Sequence, residues 1–177
     1  MKTLQIRLSG GRGYEIRIGR GLLDHLGEFL REVWDGVRVA VVTDANVAPL
    51  YAARAEASLR RAGFQTKRAV FPAGEKSKNL CGLEAIYDGL LSPDPFPLTR
   101  SDLVVALGGG VVGDMAGFAA GTVLRGVPYV QVPTTLLAQV DSSVGGKVAV
   151  DLKEGKNLAG LFYQPKLVLV DPDTLDT

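Results

Sequence analysis

One cysteine, one histidine and one tryptophan in 177 residues leave several common designs without parts. Cys81 alone cannot close an intramolecular disulfide or build a cysteine-based zinc knuckle. His25 alone excludes every metal site that needs two histidines from this chain. No apolar run approaches the ~20 residues of a membrane span. The segment Met1-Lys2-Thr3-Leu4-Gln5-Ile6-Arg7 alternates polar and apolar residues and lacks the apolar core of a signal peptide. A reducing, cytoplasmic setting without membrane attachment is the resulting expectation. Excess charge is missing as well. Twenty basic groups face 19 acidic ones, too even a balance for a nucleic-acid binder acting through bulk charge. What remains is a hydrophobic share of 46%, enough for an ordinary globular core spanning one domain, residues 1–177.

Glycine and charge are unevenly spread. Eleven of the 22 glycines lie between Gly108 and Gly160. Residues 101–177 hold only five cations, Arg125, Lys147, Lys153, Lys156 and Lys166, against eight acids. There is no repeat and no low-complexity tract. Ser92-Pro93-Asp94-Pro95-Phe96-Pro97-Leu98-Thr99 reads as an extended connector, because proline disfavours helix at itself and at the residue before it.

Period-two alternation in Leu4–Leu8 and Tyr14–Ile18, joined through Ser9-Gly10-Gly11-Arg12-Gly13, predicts an N-terminal hairpin. Leu22, Leu23, Leu26, Phe29, Leu30 and Val33 recur at helical spacing. Val37–Thr43 is a β-branched run suited to a strand buried on both faces. A helix over Val47–Ala62, a strand over Gln65–Phe71 and a helix over Asn79–Leu91 follow. Leu103–Leu107 is the most strand-like run, and a small-residue helix is predicted near Val112–Thr122. Tyr129–Val132 and Leu167–Val170 are further strands. Strands alternating with helices over short connections predict an α/β fold, a Rossmann-like, mostly parallel sheet with flanking helices and the N-terminal hairpin.

Two clusters carry chemistry. Gly108, Gly110 and Gly113 fit G-x-G-x-x-G spacing between a strand and a helix. Glycines let a backbone approach a ligand phosphate, and the helix N-terminus offers unpaired N–H groups. Tight helix–strand packing would equally call for these glycines. The acid that normally follows about 20 residues later is missing from Val127–Thr135. Asp44, at a strand's carboxyl end, is a substitute, or simply an N-cap for the next helix. The second cluster, Pro133 to Lys147, packs hydroxyls, Asp141, two glycines and Lys147 into fifteen residues, with Gly155-Lys156-Asn157 soon after. Lysine beside glycine suits point-charge binding of phosphate, and an asparagine adds a neutral donor. The bland alternative is that Ser142-Ser143 caps a helix and Lys147 is a solvated cation. Gly145 and Gly146 allow a sharp bend that would aim Lys147 inward, with Lys156 and Asn157 returning to the same cleft.

These blocks resemble the 3-dehydroquinate synthase family. The resemblance is carried by Gly74-Glu75-Lys76-Ser77-Lys78, Gly108 to Phe118, Arg125-Gly126-Val127, Gln131 to Ala138, Val140 to Lys147 and Gly155 to Leu158. Pro165-Lys166, Asp171-Pro172 and Thr174-Leu175 continue it. The match is nearly continuous from Leu103 to Thr177 and thinner before. One departure is Asp151-Leu152-Lys153-Glu154-Gly155-Lys156-Asn157, where the family often has proline in the stretch before Gly-Lys-Asn.

The resemblance implies an NAD-binding α/β domain. It implies that Asp44, Asn46, Gly74, Glu75 and Lys78 lie around the adenosine part of NAD. Gly109, Gly110, Val111, Val112, Gly113 and Asp114 would match the pyrophosphate loop. Thr134, Thr135, Thr174, Leu175, Asp176 and Thr177 would make further cofactor contacts. Lys147 and Lys156 would line the cofactor and phosphate end. Asp141, Lys147, Asn157 and Arg125 are the implied catalytic residues, Asp141 at substrate hydroxyls and Arg125 reaching the phosphate across a homodimer interface. The family's helical second domain would supply a zinc or cobalt site of one Glu and two His beyond Thr177, so no metal ligand is expected here, and this part alone is expected to be inactive. The implied reaction turns the sugar phosphate 3-deoxy-D-arabino-heptulosonate 7-phosphate into 3-dehydroquinate and phosphate in the shikimate pathway, a lyase step of aromatic amino-acid biosynthesis. A ring hydroxyl is oxidised with NAD as acceptor, the neighbouring C–H becomes acidic, phosphate leaves, the hydride returns, and the ring reopens and closes as an aldol. Related sugar-phosphate cyclases and metal-dependent alcohol or glycerol dehydrogenases share the plan, and a non-catalytic nucleotide-binding module is the rival of another class.

Overall fold

The computed structural model describes residues 1–9 and 13–177. Its centre is a seven-stranded sheet in the order β1-β2-β9-β6-β5-β3-β4. The strands are β1 (Lys2–Arg7), β2 (Gly13–Ile18), β3 (Arg38–Asp44), β4 (Gln65–Phe71), β5 (Leu103–Gly108), β6 (Tyr129–Pro133) and β9 (Leu167–Val170). All neighbouring pairs are parallel except β1 with β2. The expected hairpin is therefore present, while its turn at Gly10, Gly11 and Arg12 lies outside the described residues.

The helices are α1 (Leu26–Val33), α2 (Ala53–Arg61), α3 (Leu80–Leu91) and α4 (Gly110–Thr122). Side-chain alternation along the strands assigns them to two layers. In β3, Val39 and Val41 face a core with Leu26, Leu30 and Leu59 of α1 and α2. Ala40 and Val42 face a second core with Leu83, Ile86, Met115 and Ala116 of α3 and α4. The β-branched runs are thus covered on both sides, as parallel strands require. Asn79 caps α3, its side chain accepting from the Gly82 N–H. Gly63, at φ +83°, follows the end of α2, where only glycine is unstrained.

Three segments differ from the sequence reading. The helix expected over Val47–Ala62 opens with a π-helical turn at Ala48–Ala52 before α2. The first predicted helix is a 3-10 turn at Leu22–His25 running into α1. A second sheet, the antiparallel pair β7 (Lys147–Leu152) and β8 (Gly155–Phe162), was not foreseen. It stands where a doubly wound fold would place a crossover helix between β6 and β9. It packs against α4, where a Cβ at Gly117 would come within 2.5 Å of Val148. Local alternation in Val148–Val150 is too short to announce a strand pair; the glycine face of α4 is what admits it.

From β4 through β3, β5, β6 and β9 the order is 2-1-3-4-5 in chain sequence. Such a sheet reverses winding between its first and third strands, here β3 and β5. Ligands in open α/β sheets bind outside the carboxyl ends of the strands at that switch point.

Candidate cofactor and anion site

The switch point places Asp44 at the end of β3 and Gly108-Gly109 at the end of β5. Thr134 follows β6 on the same edge, its N–H donating to the Gly108 carbonyl at 2.9 Å. Asp44, Asp114, Thr134 and Thr135 therefore share one edge, as expected from parallel order. The glycine turn is tighter than the sequence suggests. Helix α4 begins at Gly110, not near Val112, so Gly109 alone separates strand from helix. The remaining glycines form the first helical turn.

No side chain caps the N-terminus of this 13-residue helix, whose first N–H groups have no intrahelical acceptors. Neither Gly109 nor Gly110 adopts positive φ; they are required by close approach. A Cβ at Gly109 would come within 3.0 Å of the Thr135 side chain, and one at Gly110 within 3.0 Å of the Ser142 hydroxyl. Bare backbone, uncapped N–H groups and a partial positive helix end fit an anionic phosphate group.

Asp44 is buried, and its Oδ1 accepts from the N–H groups of Asn46 and Val47, both at 2.9 Å. These bonds close a turn just ahead of the π-helical turn, whose N-cap position is Val47. Thr174 to Thr177 reach the same edge. The Tyr51 hydroxyl donates to the Thr174 carbonyl at 3.0 Å and bonds the Thr177 hydroxyl at 2.9 Å. Gln139, not singled out from sequence, donates to the Pro133 and Asp171 carbonyls and to the Thr174 hydroxyl, tying this turn to the segment that bears Asp141.

Beside the switch point lies a cavity of about 580 Å³ between the start of α4 and the β7–β8 pair. Asp114, Asp141, Ser142, Lys147 and Asn157 are its polar lining, and Val148, Leu158 and Phe162 are among its apolar residues. Gly145 and Gly146, at φ +92° and +66°, make the bend that brings Lys147 to it. Behind the cavity, the Lys78 ammonium pairs with Asp114 at 2.5 Å and donates to Asn157 Oδ1 at 2.6 Å. Burial pushes the Asp114 carboxyl above its ordinary value, against the pull of Lys78.

One expectation changes. Lys156 does not return to this cavity. It extends over the surface to Glu75 at 2.8 Å, and that carboxylate raises the ammonium's pKa. Asn157 lies in the irregular stretch between the Leu152–Gly155 and Val150–Ala159 pairs, at φ +57°, and that local break in the ladder parts it from Lys156. Lys78 pairs with Asp114 and donates to Asn157 beside the cavity. Arg125 joins none of these groups. It lies beyond the far end of α4, exposed and at φ +68°, between Leu124 at φ +53° and Gly126 at φ +108°. Helix α4 starts at the carboxyl edge and carries the chain to the opposite one. Ser142 and Asp151 were missed as site groups; only the β7–β8 pairing reveals what they face.

Among the described residues, no three of His, Cys, Asp or Glu come together to hold a metal ion, and no helix is long and apolar enough to cross a membrane.

The 3-dehydroquinate synthase N-terminal family model matches residues 68–177. The 3-dehydroquinate synthase of Geobacter metallireducens is 54% identical over all 177 residues, which cover 48% of that protein. That of Nitrobacter winogradskyi is 56% identical over 175 residues, 99% of this chain and 45% of the relative. The chain thus spans about half the length of these curated relatives. Among solved structures, 2-deoxy-scyllo-inosose synthase in complex with carbaglucose-6-phosphate, NAD+ and Co2+ matches at 30% identity and a TM-score of 0.87, over 98% of this chain and 47% of that one. The 2-epi-5-epi-valiolone synthase from Streptomyces hygroscopicus, with NAD+ and Zn2+ bound, matches at 29% identity and a TM-score of 0.80, over 97% of this chain and 46% of that one. With the fold, the glycine turn and the Gly145-Gly146-Lys147 bend in place, these matches make the chain a member of the 3-dehydroquinate synthase family.

Proposed function

We propose that this chain is the NAD-binding part of a 3-dehydroquinate synthase, acting in the shikimate pathway as a cytoplasmic homodimer. The observation that carries the reading is identity of 50% or more to proteins of that name along the whole chain, against 30% to inosose synthase. The substrate would be 3-deoxy-D-arabino-heptulosonate 7-phosphate, and the products 3-dehydroquinate and phosphate.

NAD, when bound, would supply a reversible hydride acceptor. The protein's part is binding and electrostatics. The first turn of α4, with Gly109 and Gly110 bare, would receive the pyrophosphate. Asp44 and Asn46, at the end of β3, would face the adenosine end, with Glu75 nearby. Thr134, Thr135 and residues 174–177 would close over the cofactor from β6 and from the turn after β9. In the cavity, Asp141 would accept from substrate hydroxyls. Lys147 would place a positive charge where phosphate charge grows as the C–O bond breaks, an interaction stronger in the transition state than before it. Asn157 would donate a neutral hydrogen bond. Arg125, on the opposite edge, would serve a neighbouring subunit rather than its own. The described residues do not fit a zinc or cobalt ion.

Isothermal titration with NAD tests the cofactor reading; no binding would overturn it. Phosphate release from the heptulosonate phosphate by the enzyme containing this domain, set against other sugar phosphates, tests the substrate. Residues 1–177 alone are expected to bind NAD and release no phosphate. The shape match to a protein complexed with carbaglucose-6-phosphate and NAD+ keeps another sugar-phosphate cyclase as the second reading, and preference for a hexose phosphate would select it.

A further inference from the structure

Asn157 is held by three groups that together decide which way its amide points. Its backbone is left-handed, at φ +57°, a region uncommon for residues other than glycine but one that asparagine tolerates. Its N–H donates to Asp151 Oδ1 at 2.8 Å. Its side-chain oxygen accepts from the Lys78 ammonium at 2.6 Å. An ammonium has donors only, so the amide atom facing Lys78 must be oxygen. The Nδ2 group is thereby turned the other way, and it has no protein partner among the described residues. Asn157 lines the 580 Å³ cavity.

Asp151 is built for this. It sits at the irregularity in the β7–β8 pairing, where the register shifts between Val150 and Leu152. Such a shift re-aims a residue. Its N–H leaves the ladder and donates to the Lys78 carbonyl at 2.8 Å. Asp151 and Lys78 thus grip each other through backbone, while each grips one end of Asn157. Asp114 pairs with the same ammonium at 2.5 Å from another side.

We propose that Asp151 is a positioning residue that, with Lys78, locks the Asn157 amide with its NH2 toward the cavity, where it recognises an acceptor oxygen, hydroxyl or phosphoryl, of the bound sugar phosphate. This rests on the proposed function for the ligand's identity, but not for the geometry. A merely structural Asp151 would stabilise the hairpin turn, and its loss would weaken every ligand in step with the fold.

The test uses Asp151→Ala and Asp151→Asn in the enzyme containing this domain, with amide hydrogen exchange at Asn157 and separate titrations of NAD and of the heptulosonate phosphate. For Asp151→Ala, exchange at the Asn157 N–H should rise to that of an open loop. Sugar-phosphate affinity should fall about tenfold or more, the scale of a hydrogen bond to a charged group, while NAD affinity stays within about twofold. Asp151→Asn, whose Oδ1 still accepts the N–H, should restore both. Unchanged exchange in Asp151→Ala, parallel loss of both ligands, or failure of a folded Asp151→Asn to rescue would overturn the proposal. If the unaltered protein binds NAD but not this sugar phosphate, the substrate reading fails, and the exchange result with the Asn rescue still decides the clamp.

Discussion

The two faces of the sheet share large apolar cores and differ in one helix, α4. The α1/α2 side is filled by large aliphatics: Leu23, Leu26, Leu30, Leu59 and Leu107 are fully buried there. The α3/α4 side has Leu83, Ile86 and Leu90 on α3 but mostly small residues on α4. Ala116, Ala119 and Ala120 lie against the sheet, and Gly113, Gly117 and Gly121 leave room on α4 for Gln131, Val148 and Leu161. Leucine makes a closed, inert wall. Glycine brings a second sheet within reach of a helix N-terminus, and the cavity forms between them. One face supplies stability, and the other trades side-chain volume for a place to bind.

Substitutions should separate the two faces. The largest loss of stability is expected from Leu30→Ala, about 2–5 kcal/mol through lost transfer energy and a cavity. Thermal or denaturant unfolding should show it, with NAD affinity of the folded fraction unchanged. On the other face, Lys78→Met should cost about 1–3 kcal/mol, because the Asp114 carboxyl and the Asn157 side-chain oxygen would lose their donor, and here ligand binding should fall too. Gly117→Ala follows, at about 1–3 kcal/mol, since its methyl would press Val148 of β7. Sugar-phosphate binding should weaken more than NAD binding, because the cavity lies against the displaced hairpin.

Asp114 gives a pH signature. Burial raises its folded pKa above the unfolded value, so the folded chain holds this proton more tightly. Its contribution to stability is complete below the unfolded value and is lost as pH rises through the folded one. As pH rises above the ordinary carboxylate range, the melting temperature of the unaltered protein should decline relative to that of Asp114→Asn. The opposite slope would show that Lys78 outweighs burial.

The smallest structural effect belongs to Lys147→Ala. An exposed cation removed from a bend should shift stability by within about 0.5 kcal/mol. Turnover of the enzyme containing this domain should drop by about a hundredfold or more. Unchanged turnover would retire Lys147 from the site.

The core of the fold was legible because the central strands β3, β5 and β9 are apolar runs and α1 and α3 repeat apolar residues at helical spacing. Parallel order then put Asp44, Gly109 and Thr134 on one edge without further information. The β7–β8 pair was not legible. Val148 and Val150 alternate over too few residues, and the partner strand, rich in glycine and polar groups, has no strand signature of its own. The fate of Lys156 and Asn157 followed from that omission. Adjacent in sequence, both read as cleft residues, and the break in the β7–β8 pairing, with Asn157 left-handed, sends one to Glu75 on the surface and the other to Lys78 and the cavity.

The sequence by itself determined the alternation of strands and helices, the glycine turn after β5 and the positive-φ bend before Lys147, because these depend on local propensity and on what glycine alone permits. Only the tertiary structure decided that Lys78 serves Asn157, that Asp151 holds it, and that Arg125 stands at the opposite edge. Lys78 and Asn157 are far apart along the chain, and their meeting depends on a hairpin resting on a helix face. No local pattern encodes it, since it is set by which volumes the packed core leaves open.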